Sequence, residues 1–137
     1  AVGVFLGKVV RGEPLEIWGD GSVVRDFPYV GDVADAIAKA VETETPRLLV
    51  NIGQGKGTSL RELVEVLSKV TGREPEVLYR PGRVFDVPRN VLDVRKADLE
   101  LGWRPLTPLE EGLRRTLAWW DEVGGGEVGG HPIKAVG

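Results

Sequence analysis

Apolar side chains recur every three to four positions over much of this chain, and that spacing predicts amphipathic helices. The stretches with this spacing are Val2–Val10, Val33–Val41, Leu60–Val70 and Leu109–Trp120. Gly12 and Gly72 follow the first and third stretches, as glycines that end helices commonly do. The first stretch starts without a capping residue, so we expect the chain to begin inside a helix, as a truncated polypeptide would.

Polar residues stand at the expected starts of these helices, where side chains cap free backbone N–H groups. The predicted caps are Asp32, Ser59 with Glu62 as a capping box, Asp93 before a short helix that ends at Gly102, and Thr107 before a proline at the first helical position. These caps and the apolar spacing indicate the same helices.

Short apolar runs between the helices predict strands at Leu15–Trp18, Asp26–Val30, Leu48–Ile52 and Glu76–Tyr79. Pro28 removes a backbone donor from the second run, which favours an edge or bulged position. The third run is apolar enough for a buried, parallel strand. Alternating strands and helices predict an α/β fold, a small mixed sheet of short strands with about four to five helices.

Composition narrows the possible classes of protein. The 137 residues suffice for one domain, which we assign to residues 1–123, followed by a flexible glycine-rich tail at 124–137. A net charge of −3 gives no basic excess for nucleic acid, and no apolar run has the length of a membrane span. The absence of cysteine suits a reducing, cytoplasmic location, and the single histidine, His131, predicts no metal site.

Three strings of residues carry the candidate chemistry. The first runs from Gly19 to Val33 and includes Arg25-Asp26-Phe27, the second is Asn51-Ile52-Gly53, and the third is Arg83-Val84-Phe85-Asp86-Val87-Pro88-Arg89. Together they resemble the extended short-chain dehydrogenase/reductase family, in particular its NAD-dependent nucleotide-sugar epimerases and dehydratases of the UDP-glucose 4-epimerase-like kind. The resemblance extends from about Phe5 to Trp120.

The family also carries a glycine-rich dinucleotide fingerprint and a Tyr-x-x-x-Lys pair in its N-terminal half, and this sequence has neither. The resemblance therefore implies the C-terminal, substrate-binding part of an extended Rossmann-type enzyme. The implied cofactor is NAD, bound by residues outside this chain. The implied partners are a nucleotide sugar (a UDP-sugar first), the missing N-terminal Rossmann half and further copies of the protein. We expect this chain alone to be inactive and to contain no catalytic or cofactor-binding residue.

The resemblance implies substrate-binding roles for seven residues, namely Glu16, Ile17, Trp18, Arg25, Asn51, Arg83 and Asp86. The backbone of the first three would bind the base while Trp18 lines the pocket. Arg25 and Arg83 would hold the diphosphate, because forked guanidinium donors suit phosphate oxygens. Asp86 would accept from both ribose hydroxyls, and Asn51 would face the phosphates or the base.

Several of these assignments have plainer alternatives. Arg25 is equally suited to a surface ion pair with Asp26, Asn51 to fastening the loop that follows it, and Trp18 to the core. Val84-Phe85 replaces the Pro-Gly that the family usually has, which affects the geometry around Asp86. The glycines at 53, 55 and 57 lack the spacing of a phosphate or dinucleotide loop, so we interpret them as a connection.

The resemblance thus predicts the substrate lobe of a nucleotide-sugar epimerase that anchors the nucleotide diphosphate. The same scaffold also serves 4,6-dehydratases and reductases, whose chemistry is decided by the catalytic half. An inactive binding or structural module is the alternative from a different class.

Overall fold

The computed structural model describes residues 2–43, 49–83 and 86–123, which form five α-helices and five β-strands. In chain order the elements are α1 (Val2–Arg11), β1 (Leu15–Trp18), β2 (Val24–Asp26), α2 (Val30–Glu42), β3 (Gly57–Ser59), α3 (Leu60–Thr71), β4 (Val77–Arg80), β5 (Arg89–Asn90), α4 (Arg95–Leu101) and α5 (Leu109–Glu122). The predicted α/β fold is confirmed. Within these ranges no helix combines the length and the apolarity that crossing a bilayer requires.

The strands form two small sheets. In one, β1 runs parallel to β4, with Leu15 opposite Val77 and Trp18 opposite Arg80. In the other, β2 lies between β3, which is antiparallel to it, and β5, which is parallel. Parallel neighbours need a long connection, and the chain between β1 and β4 supplies one that contains α2 and α3.

The main core lies where α1, α3 and α5 pack on β1. Its buried members are Phe5, Leu6, Val9, Leu15, Ile17, Leu63, Leu67, Leu113 and Trp120. Gly7 allows α1 to approach α5 closely, because a Cβ at Gly7 would lie 2.9 Å from Cη2 of Trp120. A second, smaller cluster joins α2 to α4 through Ala36, Ala97, Leu101 and Trp103.

The ends of α3 agree with the sequence. Ser59 Oγ accepts from the Glu62 N–H at 3.2 Å, and the Glu62 carboxylate accepts from the Ser59 N–H at 2.7 Å. This is the predicted capping box, and Gly72 ends the helix in the left-handed conformation with a φ of 68°. Residues within a few positions of each other determine both ends.

Asp32 and Thr107 are not the helix caps that the sequence predicts. In the part of the chain described, α2 begins at Val30 and α5 at Leu109, and neither has a side-chain cap bond. The Asp32 carboxylate instead accepts three hydrogen bonds, from the Thr107 N–H at 2.9 Å, from the Thr107 hydroxyl at 2.8 Å and from the Leu106 N–H at 3.1 Å. This carboxylate therefore joins the start of α2 to the start of α5.

Asp93 fastens the start of α4, although the cap position itself is Val94. Its carboxylate accepts from the Arg95 N–H at 3.0 Å and pairs with the Arg95 guanidinium at 2.6 Å. The hydrogen bond from that guanidinium is the main cause that lowers the pKa of Asp93 to about 2.

Two predicted strands are wrong in part. The strand predicted at Asp26–Val30 is β2, which ends at Asp26, and the chain enters α2 at Val30. Of the strand predicted at Leu48–Ile52, Leu48 lies outside the described residues, and residues 49–52 are not in a strand. Leu49 is 81 % exposed, while Val50 and Ile52 are partly buried against the second cluster without pairing with a strand. The tail predicted at 124–137 also lies outside the described residues.

Candidate functional site

The alternation of side chains along β1 divides the three residues predicted to meet a base. Ile17 is 1 % exposed and belongs to the main core, whereas Glu16 and Trp18 lie on the opposite, exposed face. The Ile17 side chain is therefore not available to a ligand. Trp18 is 41 % exposed, so it is not the core residue that the alternative interpretation required.

Arg83 lies over the ring of Trp18. The centre of its guanidinium is 4.3 Å from the ring centroid, a cation–π contact between the loop after β4 and the end of β1. Gly19 and Gly82 bring the chain together beside this pair, because a Cβ at Gly82 would lie only 3.5 Å from Cα of Gly19. The Gly19 N–H also donates to the Arg80 carbonyl at 2.9 Å. Both loops thus leave the carboxyl ends of β1 and β4 in close contact.

Charged side chains surround this edge of the sheet. Arg80 donates to Glu16 at 2.6 Å, and that hydrogen bond is the main cause that lowers the pKa of Glu16. An open cavity of about 480 Å³ lies next to it, lined by Gly19, Asp20, Arg61, Tyr79, Arg80 and Gly82. Tyr79 gives this cavity an aromatic side chain, and its two arginines pair with carboxylates, Arg61 with Asp20 at 3.1 Å and Arg80 with Glu16 at 2.6 Å.

Arg25 is fastened to the loop that carries Asp86. Its Nη1 donates to the Val87 carbonyl at 2.7 Å and to the Val24 carbonyl at 2.8 Å. Arg25 and Asp26, both described by the structure, form no ion pair with each other, so the surface pair that the sequence left open is absent. Asp86 donates its N–H to the Arg83 carbonyl at 3.1 Å, which joins the two residues. Val84 and Phe85 lie outside the described residues.

Asn51 lies elsewhere, on the segment between α2 and β3, and contacts the segment before α4. Its Nδ2 donates to the Asp93 carbonyl at 3.3 Å, and the residue is exposed. This bond is the one expected of an amide that fastens a loop. The structure thus brings Trp18 to Arg83 and Arg25 to the loop of Asp86, whereas Asn51 contacts a third segment.

Asp26, for which the sequence predicted no site role, binds three backbone N–H groups near these residues. Its carboxylate accepts from the N–H groups of Gln54 at 2.6 Å, Gly55 at 3.0 Å and Leu92 at 3.2 Å. The backbone donors of the glycine-rich loop are therefore bonded to an internal anion, in keeping with the interpretation of this loop as a connection. The glycine in the string Asn51-Ile52-Gly53 was a sequence signal for this contact, because a Cβ at Gly53 would lie 2.8 Å from Oδ2 of Asp26.

The described residues contain no group of three or more His, Cys, Asp or Glu side chains that would hold a metal ion. Two N–H groups of the glycine-rich loop are bonded to Asp26 and are therefore not available to a phosphate. What the site offers is an aromatic face, two arginines and carboxylates at the ends of short strands.

Comparisons with known proteins show the family to which this chain belongs. Residues 5–116 match the family described as GDP-mannose 4,6 dehydratase. A putative UDP-glucose 4-epimerase of Methanocaldococcus jannaschii is 39 % identical over 118 residues, which are 86 % of this chain and 38 % of that protein. The UDP-glucose 4-epimerase of Thermotoga maritima, solved with UDP-glucose, superposes with a TM-score of 0.83 at 40 % identity, covering 89 % of this chain and 39 % of that one. The UDP-glucose 4-epimerase of Thermus thermophilus, solved with NAD, gives 0.78 at 35 % identity, covering 88 % and 39 %.

The fold and these similarities define a chain of the Rossmann-type nucleotide-sugar epimerases and dehydratases, which are extended short-chain dehydrogenases/reductases. Within that class, the chain belongs to the GDP-mannose 4,6 dehydratase family. The resemblance found in the sequence is thereby confirmed. The chain spans less than half the length of the relatives it matches, 38 % of the Methanocaldococcus jannaschii protein and 39 % of the Thermotoga maritima chain.

Proposed function

We propose that this chain is the substrate-binding lobe of an NAD-dependent nucleotide-sugar epimerase, UDP-hexose 4-epimerase-like, and that it anchors the nucleotide diphosphate. The observation that carries the proposal is the contact of Arg83 with the exposed ring of Trp18. It combines an aromatic face and a guanidinium at the carboxyl ends of β1 and β4, the edge of a parallel sheet where ligands commonly bind. The similar Thermotoga maritima enzyme was solved with UDP-glucose, which supports a UDP-sugar.

Each residue of the proposed site has a role that its surroundings support. Trp18 offers a flat surface for the base, and β1 offers backbone groups on the edge away from β4, its single strand partner in the described ranges. Arg83 and Arg25 face the diphosphate with forked donors. Arg25 uses Nη1 for two carbonyls, which leaves Nε and Nη2 for phosphate oxygens.

Asp86 and Asn51 complete the proposed contacts. Asp86 is half-buried, is joined to Arg83 by a backbone hydrogen bond and offers two acceptor oxygens to the ribose hydroxyls. Asn51 keeps its side-chain oxygen for the nucleotide while its Nδ2 binds the Asp93 carbonyl. Glu16 acts through its pair with Arg80 at the edge of the base pocket. Anchoring a part of the substrate that does not react supplies binding energy that positions the reacting sugar.

The intact enzyme needs a cofactor lobe beside this chain. NAD supplies reversible hydride acceptance in such enzymes, and the Thermus thermophilus relative was solved with it. We propose that NAD and the catalytic residues belong to an N-terminal Rossmann half, because the matched region is only 38–41 % of the length of the similar epimerases and related structures. This chain alone is then inactive. We also propose that the intact enzyme is cytoplasmic.

The exposed face of α2 is the surface that we propose the Rossmann half covers. Val30, Ile37 and Val41 are 73 %, 61 % and 82 % exposed and recur at helical spacing, and Leu49 follows at 81 %. Such an apolar stripe is costly in water and indicates an interface. In the isolated chain, which lacks that half, the same face pairs copies with each other and gives a homo-oligomer of this chain alone.

A 4,6-dehydratase or reductase lobe is the second candidate. The description of the matching family, GDP-mannose 4,6 dehydratase, favours it and also a guanine base. The nucleotide anchor is common to these enzymes, so binding of UDP against GDP distinguishes the base, and the chemistry depends on the other half. Nucleotide binding by a whole protein that lacks turnover would favour the inactive module.

Titration calorimetry of the 137-residue chain with UDP, GDP and NAD, together with an epimerase assay, tests the proposal. We expect weak binding of UDP, no binding of NAD and no turnover. Micromolar NAD binding or measurable turnover would contradict the assignment as a substrate lobe. Absence of binding to both UDP and GDP would contradict the nucleotide anchor.

A further inference from the structure

The Asp26 carboxylate gathers backbone donors from two loops that are distant in sequence. Oδ1 accepts from the Gln54 N–H at 2.6 Å, and Oδ2 accepts from the N–H groups of Gly55 at 3.0 Å and Leu92 at 3.2 Å. An ionised acceptor makes such hydrogen bonds stronger than neutral ones. One side chain of β2 therefore fixes both the glycine-rich loop and the segment that leads to α4.

Gly53 supplies the space that this arrangement needs. A Cβ on Gly53 would lie 2.8 Å from Oδ2 of Asp26 and 3.1 Å from Cδ1 of Leu92. Oδ2 is held by two backbone donors, so it cannot move away without weakening those hydrogen bonds. The absence of a side chain at 53 is thus part of how the carboxylate reaches its donors.

These same segments carry or contact residues of the proposed nucleotide site. Arg25 precedes Asp26 on β2 and donates to the Val87 carbonyl, and it lies opposite Asn90 on β5. Asn51 precedes the glycine-rich loop, and its side chain binds the carbonyl of Asp93, which follows Leu92. Both connections of Asn51, along the chain and through its side chain, thus lead to a segment bonded to Asp26.

We propose that Asp26 is a positioning residue of this nucleotide site. Its carboxylate is an internal anion that sets the place of Asn51 and of residues 91–93 relative to Arg25, and it does not itself touch the nucleotide. The inference rests on the proposed function, since it assigns a further residue to the same site. It predicts that nucleotide affinity depends on an anion at this position rather than on stability alone.

Asp32 offers a matched control. Its carboxylate also accepts three hydrogen bonds, from the N–H groups of Leu106 and Thr107 and from the Thr107 hydroxyl, at 3.1, 2.9 and 2.8 Å. These bonds join α2 to α5, and none of the seven proposed site residues lies on the segments that they fix. Asp32→Ala therefore removes a comparable set of hydrogen bonds without acting on the site.

The experiment compares UDP binding by the wild-type chain, Asp26→Ala and Asp32→Ala, with thermal melting measured in parallel. We expect both variants to melt earlier, because both leave backbone donors without their acceptor. Asp26→Ala should weaken UDP binding about tenfold or more, the equivalent of one charge-assisted hydrogen bond, whereas Asp32→Ala should stay within about twofold of wild type. Added formate should restore UDP affinity to Asp26→Ala, because it returns carboxylate oxygens to the vacated space, and should leave the other two proteins unchanged.

The outcomes separate this inference from the proposed function. A wild-type chain that binds UDP while Asp26→Ala binds it equally well overturns the inference alone, and so does equal weakening in both variants or failure of formate to rescue. A wild-type chain that binds no nucleotide overturns the proposed function and the inference with it. If Asp26→Ala does not fold, Asp26→Asn replaces it. This variant keeps one acceptor oxygen, so its UDP affinity should lie below that of the wild type by less than the tenfold expected of Asp26→Ala. An affinity equal to that of the wild type would overturn the proposal.

Discussion

Trp18 shows how the place of a single side chain follows from strand geometry. Successive residues of β1 face opposite sides, so burial of Ile17 in the main core requires Glu16 and Trp18 to face outward. The exposed ring then attracts the nearby cation of Arg83, which lies 4.3 Å from its centroid. The alternation along β1 thus leaves the Trp18 ring available to a base and buries the Ile17 side chain.

Replacing Trp18 tests its contact with the base. We expect Trp18→Ala to weaken UDP binding by about 1–3 kcal/mol, the range for stacking of a base on an aromatic ring. Trp119→Ala is the control, because Trp119 is another exposed tryptophan, 55 % accessible, on α5. Calorimetry with UDP measures both. Equal affinities for Trp18→Ala and wild type would show that the base binds elsewhere.

Replacing the arginines tests the diphosphate contacts. Arg25→Ala and Arg83→Ala should each reduce the UDP binding energy by about 1.5–3 kcal/mol, the range for hydrogen bonds to charged groups, and the loss should shrink for uridine, which has no phosphate. Arg114→Ala is the matched control, since Arg114 pairs with Glu110 on the surface of α5 at 2.8 Å. An undiminished loss with uridine would argue against a phosphate contact.

At the scale of the elements, the sequence predicts what neighbouring residues decide and misses what distant ones decide. The ends of α3 depend on Ser59, Glu62 and Gly72, all within or next to the helix, and were predicted. Aspartate commonly caps helices, but the Asp32 carboxylate binds Thr107, which lies 75 positions away, instead of capping α2. The segment 49–52 has the composition of a strand, yet a strand forms only against a neighbour.

The same distinction applies to the site. The strings around Arg25 and Arg83 could be found in the sequence, because their residue types stand at fixed spacings. That Arg83 contacts Trp18, or that Asn51 binds Asp93, depends on the pairing of β1 with β4 and on the hydrogen bonds of Asp26, which no local pattern encodes.

Removing the cap of α3 tests the local contribution. Ser59→Ala should lower the free energy of unfolding by about 1 kcal/mol, because it removes the acceptor of the Glu62 N–H. Ser68→Ala is the control, since the Ser68 hydroxyl donates to the Val64 carbonyl within the helix, a bond that adds little to helix stability. Urea denaturation measures both variants. Equal effects would mean that the capping box contributes nothing beyond the loss of a hydroxyl.

The described part of the molecule combines a well-packed core with an apolar surface that the described residues leave exposed. The three-helix core around Leu63 and Leu67 is closed to solvent, whereas the stripe of Val30, Ile37 and Val41 on α2 is exposed. The chain therefore has the interior of an independent domain and one face typical of an interface.

Charges on α2 test that surface. We expect the wild-type chain to self-associate at high concentration, and Ile37→Glu with Val41→Glu to remain monomeric, because burying a charge in an apolar contact is costly. Leu106→Glu is the control, as Leu106 is 82 % exposed and lies between α4 and α5. Sedimentation velocity measures the distribution of species. A monomeric wild-type chain at all concentrations would show that α2 needs no cover.

The parallel pair of β1 and β4 has a consequence for how the chain folds. The ion pair between Glu16 and Arg80 joins residues 64 positions apart. Strand β1 therefore cannot pair with β4 until most of the described chain has been synthesised. Closing so long a loop is entropically costly and slows folding. During synthesis on the ribosome, α1 and β1 leave the exit tunnel before β4, with their apolar side chains unpaired, and α3, whose capping residues are local, also forms before β4 is available. We therefore expect the nascent chain to pass through an aggregation-prone interval that ends when Arg80 leaves the exit tunnel.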